Sequence, residues 1–140
     1  MHLGKIDDAD RDLAQLSALR GIPASVWIDY ATLRLLQKRP DEAARMAEGA
    51  IAQEPQMTDA WRQLARAQFA TGSFDRAQET LLRGSAVAAQ PADLFYELAA
   101  MRAQRGDTNG ARQAADEALA RVGTTAPTWE DDARRLATSP

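Results

Sequence analysis

One histidine, His2, and no cysteine leave this chain of 140 residues few groups for acid–base, nucleophilic or metal chemistry. Zinc sites built on histidine and cysteine are out of reach, and His2 stands at a terminus, where chains fray. Carboxylates are more plentiful. They cluster at Asp7, Asp8, Asp10 and Asp12 and again at Glu130, Asp131 and Asp132. Paired carboxylates can act as acid and base, but both runs fall where helices are expected to begin, and negative charge there is favoured by the helix dipole. The glycine-bearing stretch Arg105–Arg112 lacks the lysine and the preceding strand of a phosphate loop, so it reads as a turn. What remains is binding chemistry. Arg62 and Arg66 are four residues apart and Phe69 follows three later, so all three share one helical face. Two guanidinium groups beside an aromatic ring could hold an acidic side chain or a terminal carboxylate. In the alternative both arginines are simply solvated, and for Phe69 the core is favoured. No catalytic residue, metal or cofactor is expected.

The elements that must carry this face announce themselves by period. Trp27, Trp61, Phe95 and Trp129 are spaced by 34 residues each. Ala31, Ala65, Ala99 and Ala133 keep the same interval, as do Ala9, Ala43, Ala77 and Ala111, and then Ala50, Gly84 and Ala118. Glycines mark turns at Gly4, Gly72 and Gly106, with Lys38 in the remaining slot. Within Thr58–Arg83 the apolar residues Trp61, Leu64, Ala65 and Phe69 recur at helical spacing. Gly72 then ends a helix in a left-handed turn, and Phe74, Ala77, Leu81 and Leu82 face back. Helices are expected at 6–20, 24–38, 40–53, 59–70, 74–89, 92–104, 108–121 and 127–137. Pro23, Pro40, Pro91 and Pro127 sit in or beside first turns, and Thr58, Ser73 and Asp107 are candidate caps.

Period and residue types together resemble the tetratricopeptide repeat, a helix–turn–helix unit. Trp61, Leu64, Ala65, Gly72, Phe74, Ala77 and Leu81 occupy its signature sites in the best unit; Arg34, Gln68 and Arg102 depart from it where an aromatic is usual. The resemblance implies an all-α solenoid, a right-handed superhelix of antiparallel helix pairs. Its divisions are a half unit over 1–22, full units over 24–57, 58–91 and 92–125, and a capping helix over 126–140. It also implies a groove lined by the first helix of each unit. In this register that groove presents Ile28, Thr32 and Leu35, then Asp59, Arg62, Arg66 and Phe69, then Asp93 and Tyr96, with Ser25, Ala100 and Ala103 at the matching flanks. The lysine and asparagine of the chaperone-tail carboxylate clamp are missing from these sites, so that ligand is not supported.

Composition excludes several other classes. With 45% hydrophobic and 26% charged residues the chain is an ordinary folded protein. A net charge of -3 gives no pull toward nucleic acid, and no apolar run approaches the roughly 18 residues of a membrane helix. The acidic N-terminus is unlike a secretory signal, and absence of cysteine suits cytoplasm and periplasm alike. Alanine and arginine richness hints at a bacterial gene.

The two ends differ. Leu13, Leu16 and Leu19 would lie partly uncovered in an opening half unit, so the expectation is either a fragment of a longer repeat protein or self-association through the N-terminal edge. The last helix, apolar on one side and charged on the other, suits a solvating cap. The leading function is a non-catalytic scaffold that binds a peptide or partner domain in the groove, with an acidic ligand as a candidate. The alternative is an accessory domain of a larger bacterial enzyme or secretion or polysaccharide-export assembly.

Overall fold

The computed structural model of the chain describes residues 22–124 and 126–138; the expected helix over 6–20 lies outside them. The described residues form seven helices and no strand: α1 Ala24–Leu36, α2 Pro40–Gln53, α3 Thr58–Ala70, α4 Phe74–Ser85, α5 Pro91–Gln104, α6 Thr108–Ala120 and α7 Glu130–Thr138. Each helix packs on its neighbours in sequence. First helices also touch across units, α1 on α3, α3 on α5 and α5 on α7, while the second helices α2, α4 and α6 do not touch one another. First helices therefore line the inner side of the array, and second helices fan out behind. The array is the all-α solenoid expected.

The turns inside the units repeat in atomic detail. Lys38 (φ 60°), Gly72 (φ 84°) and Gly106 (φ 81°) are all left-handed. At each, the following residue's N–H reaches back to the carbonyl five residues before it: Arg39 to Arg34 at 2.8 Å, Ser73 to Gln68 and Asp107 to Arg102 at 2.9 Å. This is the Schellman closure of a helix, which satisfies otherwise orphaned carbonyls. Lysine adopts it at a steric cost that glycine avoids. Of the expected caps, the side chain of Asp107 accepts from the Gly110 N–H at 2.9 Å. Ser73 stands at the cap position without a side-chain cap bond. Thr58 is the first residue of α3 itself; its hydroxyl accepts from the Gln90 N–H at 3.0 Å and so ties one inter-unit loop to the next.

Packing alternates large rings with vanishing side chains. Trp27 lies flat against Gly49, and Trp61 against Gly84, where an added Cβ would stand 2.6 Å from the indole. The Trp61 indole N–H donates to the Pro55 carbonyl at 2.7 Å. Two core clusters result, one around Trp27, Met46 and Leu64 and the other around Trp61, Leu81, Leu94 and Leu98; Ile51 packs on both. The three departures from the aromatic signature have a common explanation. Arg34 pairs with Glu42 at 3.1 Å, Gln68 accepts from Thr80 at 2.6 Å, and Arg102 donates to Gln78 at 2.7 Å and to the Gly110 carbonyl at 3.2 Å. Each replaces a ring contact between helices with a polar bridge, which buried polar atoms require.

Two expectations need correction. The helix expected over 74–89 ends at Ser85, and residues 86–90 form a loop whose Ala89 N–H donates to the Gln56 carbonyl at 2.9 Å. Pro91 disfavours helix at the residue before it, Gln90. The last helix starts at Glu130, not at 127, and Trp129 sits in the turn before it. Phe95 is half-buried beneath the Arg121 guanidinium, 4.6 Å from its centroid. The ring series is therefore core at its first two members, and elsewhere at the last two.

Candidate groove and its ionic floor

Helical spacing puts Asp59, Arg62 and Arg66 on the inner face of α3, and Asp93, Tyr96 and Glu97 on that of α5. The two helices touch, and the facing side chains form a single cluster. Arg62 donates to Asp59 at 2.7 Å and to Asp93 at 3.3 Å, and lies 3.7 Å from Glu97. Arg66 grips both oxygens of Glu97, with its Nε donating at 3.2 Å. Glu97 is only 8% exposed, so its charge requires these partners. Two cations and three carboxylates leave the cluster one negative charge in surplus. The guanidinium groups expected to receive an acidic ligand are thus already holding the protein's own carboxylates.

Beside this floor stands an aromatic wall. Tyr96 and Trp129 stack with centroids 5.1 Å apart and planes 8° from parallel. Both are half-buried. The Trp129 indole N–H donates to Asp93 at 2.7 Å, and the Tyr96 hydroxyl donates to Asp132 at 2.6 Å. Burial, followed by the hydrogen bond to Asp132 and its negative charge, pushes the Tyr96 hydroxyl up to about 12. The same hydrogen bond, helped by Arg135, holds the Asp132 carboxyl below its ordinary value. Floor, wall and the segment from Arg121 to Thr124 and Ala126 to Thr128 enclose an open cleft of about 920 Å³. That size falls within the range of ligand-binding clefts.

The expected groove residues divide. Arg62, Arg66, Asp93 and Tyr96 line the cleft. Phe69 joins Arg66 and Tyr96 in an adjoining hollow of about 370 Å³, half-buried and edge-on to Phe74 at 5.9 Å. It packs against the second core cluster as well. Asp59 is exposed and lines a smaller hollow with Glu54, Met57 and Gln90. Of the first unit, Ile28 is buried in the core and Leu35 is half-buried against it. Thr32 is exposed, with its hydroxyl donating to the Ile28 carbonyl at 3.0 Å. None of these three lines the cavities just described.

Sequence reasoning missed Glu97, read Asp132 only as charge at a helix start, and read Trp129 as packing alone. A signal for Glu97 was present: Asp93 lies 31 residues beyond Arg62, and Glu97 31 beyond Arg66. That is one repeat less about one helical turn, the offset at which first helices of successive units meet. Among the described residues no group of three or more histidine, cysteine or acidic side chains could hold a metal ion, and no helix is long and apolar enough to cross a membrane.

Comparison with known proteins agrees with this architecture. A tetratricopeptide repeat family model matches residues 34–102. The fold is similar to that of the Yersinia enterocolitica type III secretion translocator chaperone SycD, with a TM-score of 0.69, 13% identity and coverage of 88% of this chain and 93% of that one. It is also similar to MamA, with a TM-score of 0.61, 18% identity and coverage of 84% and 68%. Among curated proteins none matches the sequence.

Proposed function

We propose, for a chain that belongs to the tetratricopeptide repeat family, that it is a non-catalytic scaffold whose inner cleft binds a peptide or partner domain. The observation that carries this reading is the cleft's make-up. Tyr96, Trp129, Arg62 and Arg66 converge on one cavity of about 920 Å³, and tyrosine, tryptophan and arginine are the residues that dominate the energetics of protein interfaces. Their geometry is set before any ligand arrives, by the stacked rings and the ion pairs, so little ordering cost falls on binding. An acidic ligand would have to displace Glu97 from Arg66, and Asp59 or Asp93 from Arg62. The charges lining the cleft balance, Arg62, Arg66 and Arg121 against Asp93, Glu97 and Asp132, which favours a polar segment lying along the aromatic wall over a strongly acidic one. As part of a larger assembly the array would position that partner rather than transform it.

The reading is tested by filling the groove without touching its ion pairs. Ala126→Arg with Thr128→Arg adds bulk at two exposed residues that line the cleft, and Glu48→Arg alters an exposed site on the outer helix α2. Affinity capture with the three proteins side by side should recover a partner on wild type and on Glu48→Arg and lose it on the groove variant. A partner held equally by all three would move the binding surface away from the groove.

A further inference from the structure

The aromatic rings of this protein are used unevenly. Arg105 lies over Phe74 at 4.9 Å and Arg121 over Phe95 at 4.6 Å, so these two half-buried rings already carry a guanidinium. Tyr96 and Trp129 stack on each other, and among the described residues no cation lies over either ring. Stacking covers their inner faces only. Both rings line the cleft, so what they lend to it is outer face and edge. Their polar hydrogens are already committed, the indole N–H to Asp93 at 2.7 Å and the hydroxyl to Asp132 at 2.6 Å. A ligand therefore meets this wall as π surface and not as a hydrogen-bond donor.

The same two hydrogen bonds set the character of that surface. A ring whose N–H or O–H donates to a carboxylate is polarised toward greater electron density, and the negative face of its quadrupole then attracts a cation more strongly. From this we infer that the Tyr96–Trp129 wall receives an arginine side chain of the bound partner, its guanidinium flat on the outer ring face; this rests on the cleft being the binding surface proposed above. The Tyr96 hydroxyl agrees. Burial first, then the hydrogen bond to Asp132 and the charges of Asp132 and Glu97, hold it up to about 12 against the pull of Arg135, which marks a place that resists added negative charge. Arginine fits better than lysine, because its planar, weakly hydrated group stacks on a ring and still has N–H groups to donate. Acceptors stand beside the rings. Asp93 holds Trp129 and Arg62, and Asp132 holds Tyr96 and Arg135, which uses two of the roughly four acceptor sites of each carboxylate. An acidic side chain would instead meet electron-rich faces and two carboxylates.

The test compares N-acetyl-arginine amide with N-acetyl-citrulline amide, its uncharged near-isostere, on the unaltered chain. Proton–nitrogen correlation spectra at constant ionic strength follow the indole N–H groups of the three tryptophans. Trp27 and Trp61 are 3% and 7% exposed and serve as internal controls; Trp129→Phe identifies the third signal by removing it. The arginine probe should shift the Trp129 signal, leave the other two in place, and bind about two- to fivefold more tightly than the citrulline probe, as an exposed cation–π contact does. An equal response to both probes, no response at Trp129, or a stronger response to N-acetyl-glutamate amide would overturn the inference. In Trp129→Leu, read at the backbone amides of Asp93 and Tyr96 with the Trp27 and Trp61 signals as the check on folding, the preference for arginine should vanish. A preference retained there would put the cation elsewhere and overturn the inference as well. If the Ala126/Thr128 variant loses a partner while arginine and citrulline act alike, the scaffold reading stands and the arginine site alone falls.

Discussion

Reversing the groove arginines should unfold the array before it tests any ligand. In Arg62→Glu with Arg66→Glu, two new carboxylates would face Glu97 and Asp93 across the gaps of 3.3–3.7 Å that Arg62 now bridges favourably. At an effective dielectric of 20, one unit-charge contact near 3.5 Å is worth roughly 5 kcal/mol before screening. Solvent discounts this unequally. The Arg66 side chain is 46% exposed, so its pair falls toward the surface-bridge value of about 0–1 kcal/mol. The side chains of Arg62 and Glu97 are 22% and 10% exposed, closer to the buried regime, in which losing one partner costs about 3–5 kcal/mol. A net loss of about 2–4 kcal/mol is expected, a large share of an ordinary domain's stability. Urea denaturation followed by circular dichroism at 222 nm measures it. A double reversal within about 0.5 kcal/mol of wild type would mean that the arginines are solvated and the cluster carries no weight.

Three other outcomes follow from the same structure. Trp61→Ala should cost about 3–5 kcal/mol, as large aromatic truncations in packed cores do, because the ring is buried and donates to Pro55; equilibrium denaturation checks it. Lys38→Gly should stabilise by about 0.5–1 kcal/mol, since the left-handed backbone at φ 60° costs lysine what glycine does not feel; a raised melting temperature is the readout. Asp132 has a depressed folded-state pKa, so its contribution is complete above the ordinary carboxylate pKa and is lost as pH falls through the lower folded value. The stability gap between wild type and Asp132→Asn should therefore be present at neutral pH and close on acidification, which paired denaturation curves at several pH values would show.

Much of the fold could be read from residues alone, because the repeat shows one local solution three times. The turns at Lys38, Gly72 and Gly106 are local events with local causes, and six of the helices fall within a few residues of expectation. What escaped depends on three-dimensional offsets. The link from Arg66 to Glu97 exists only once α3 and α5 lie side by side, so the arginines' faces were legible and their partners were not. Trp129 misled because its place in the series is a matter of count, while its surroundings follow from where α7 begins. The polar bridges at Arg34, Gln68 and Arg102 looked like flaws in a motif, and only the positions of Glu42, Thr80 and Gln78 show them as substitutes for an aromatic seam.

The meeting of Trp61 with Gly84 has a consequence beyond its own stability. A solenoid has no central core to absorb a misfit, since each unit takes its bearing from the one before. Widening that junction by a single methyl group, with a Cβ already 2.6 Å from the indole, would turn every later unit by the same small angle. The cleft lies downstream, between α3 and α7, so its width is set in part by how bare the backbone is at Gly84. One hydrogen atom in place of a side chain there works as the gauge for a cleft it does not touch.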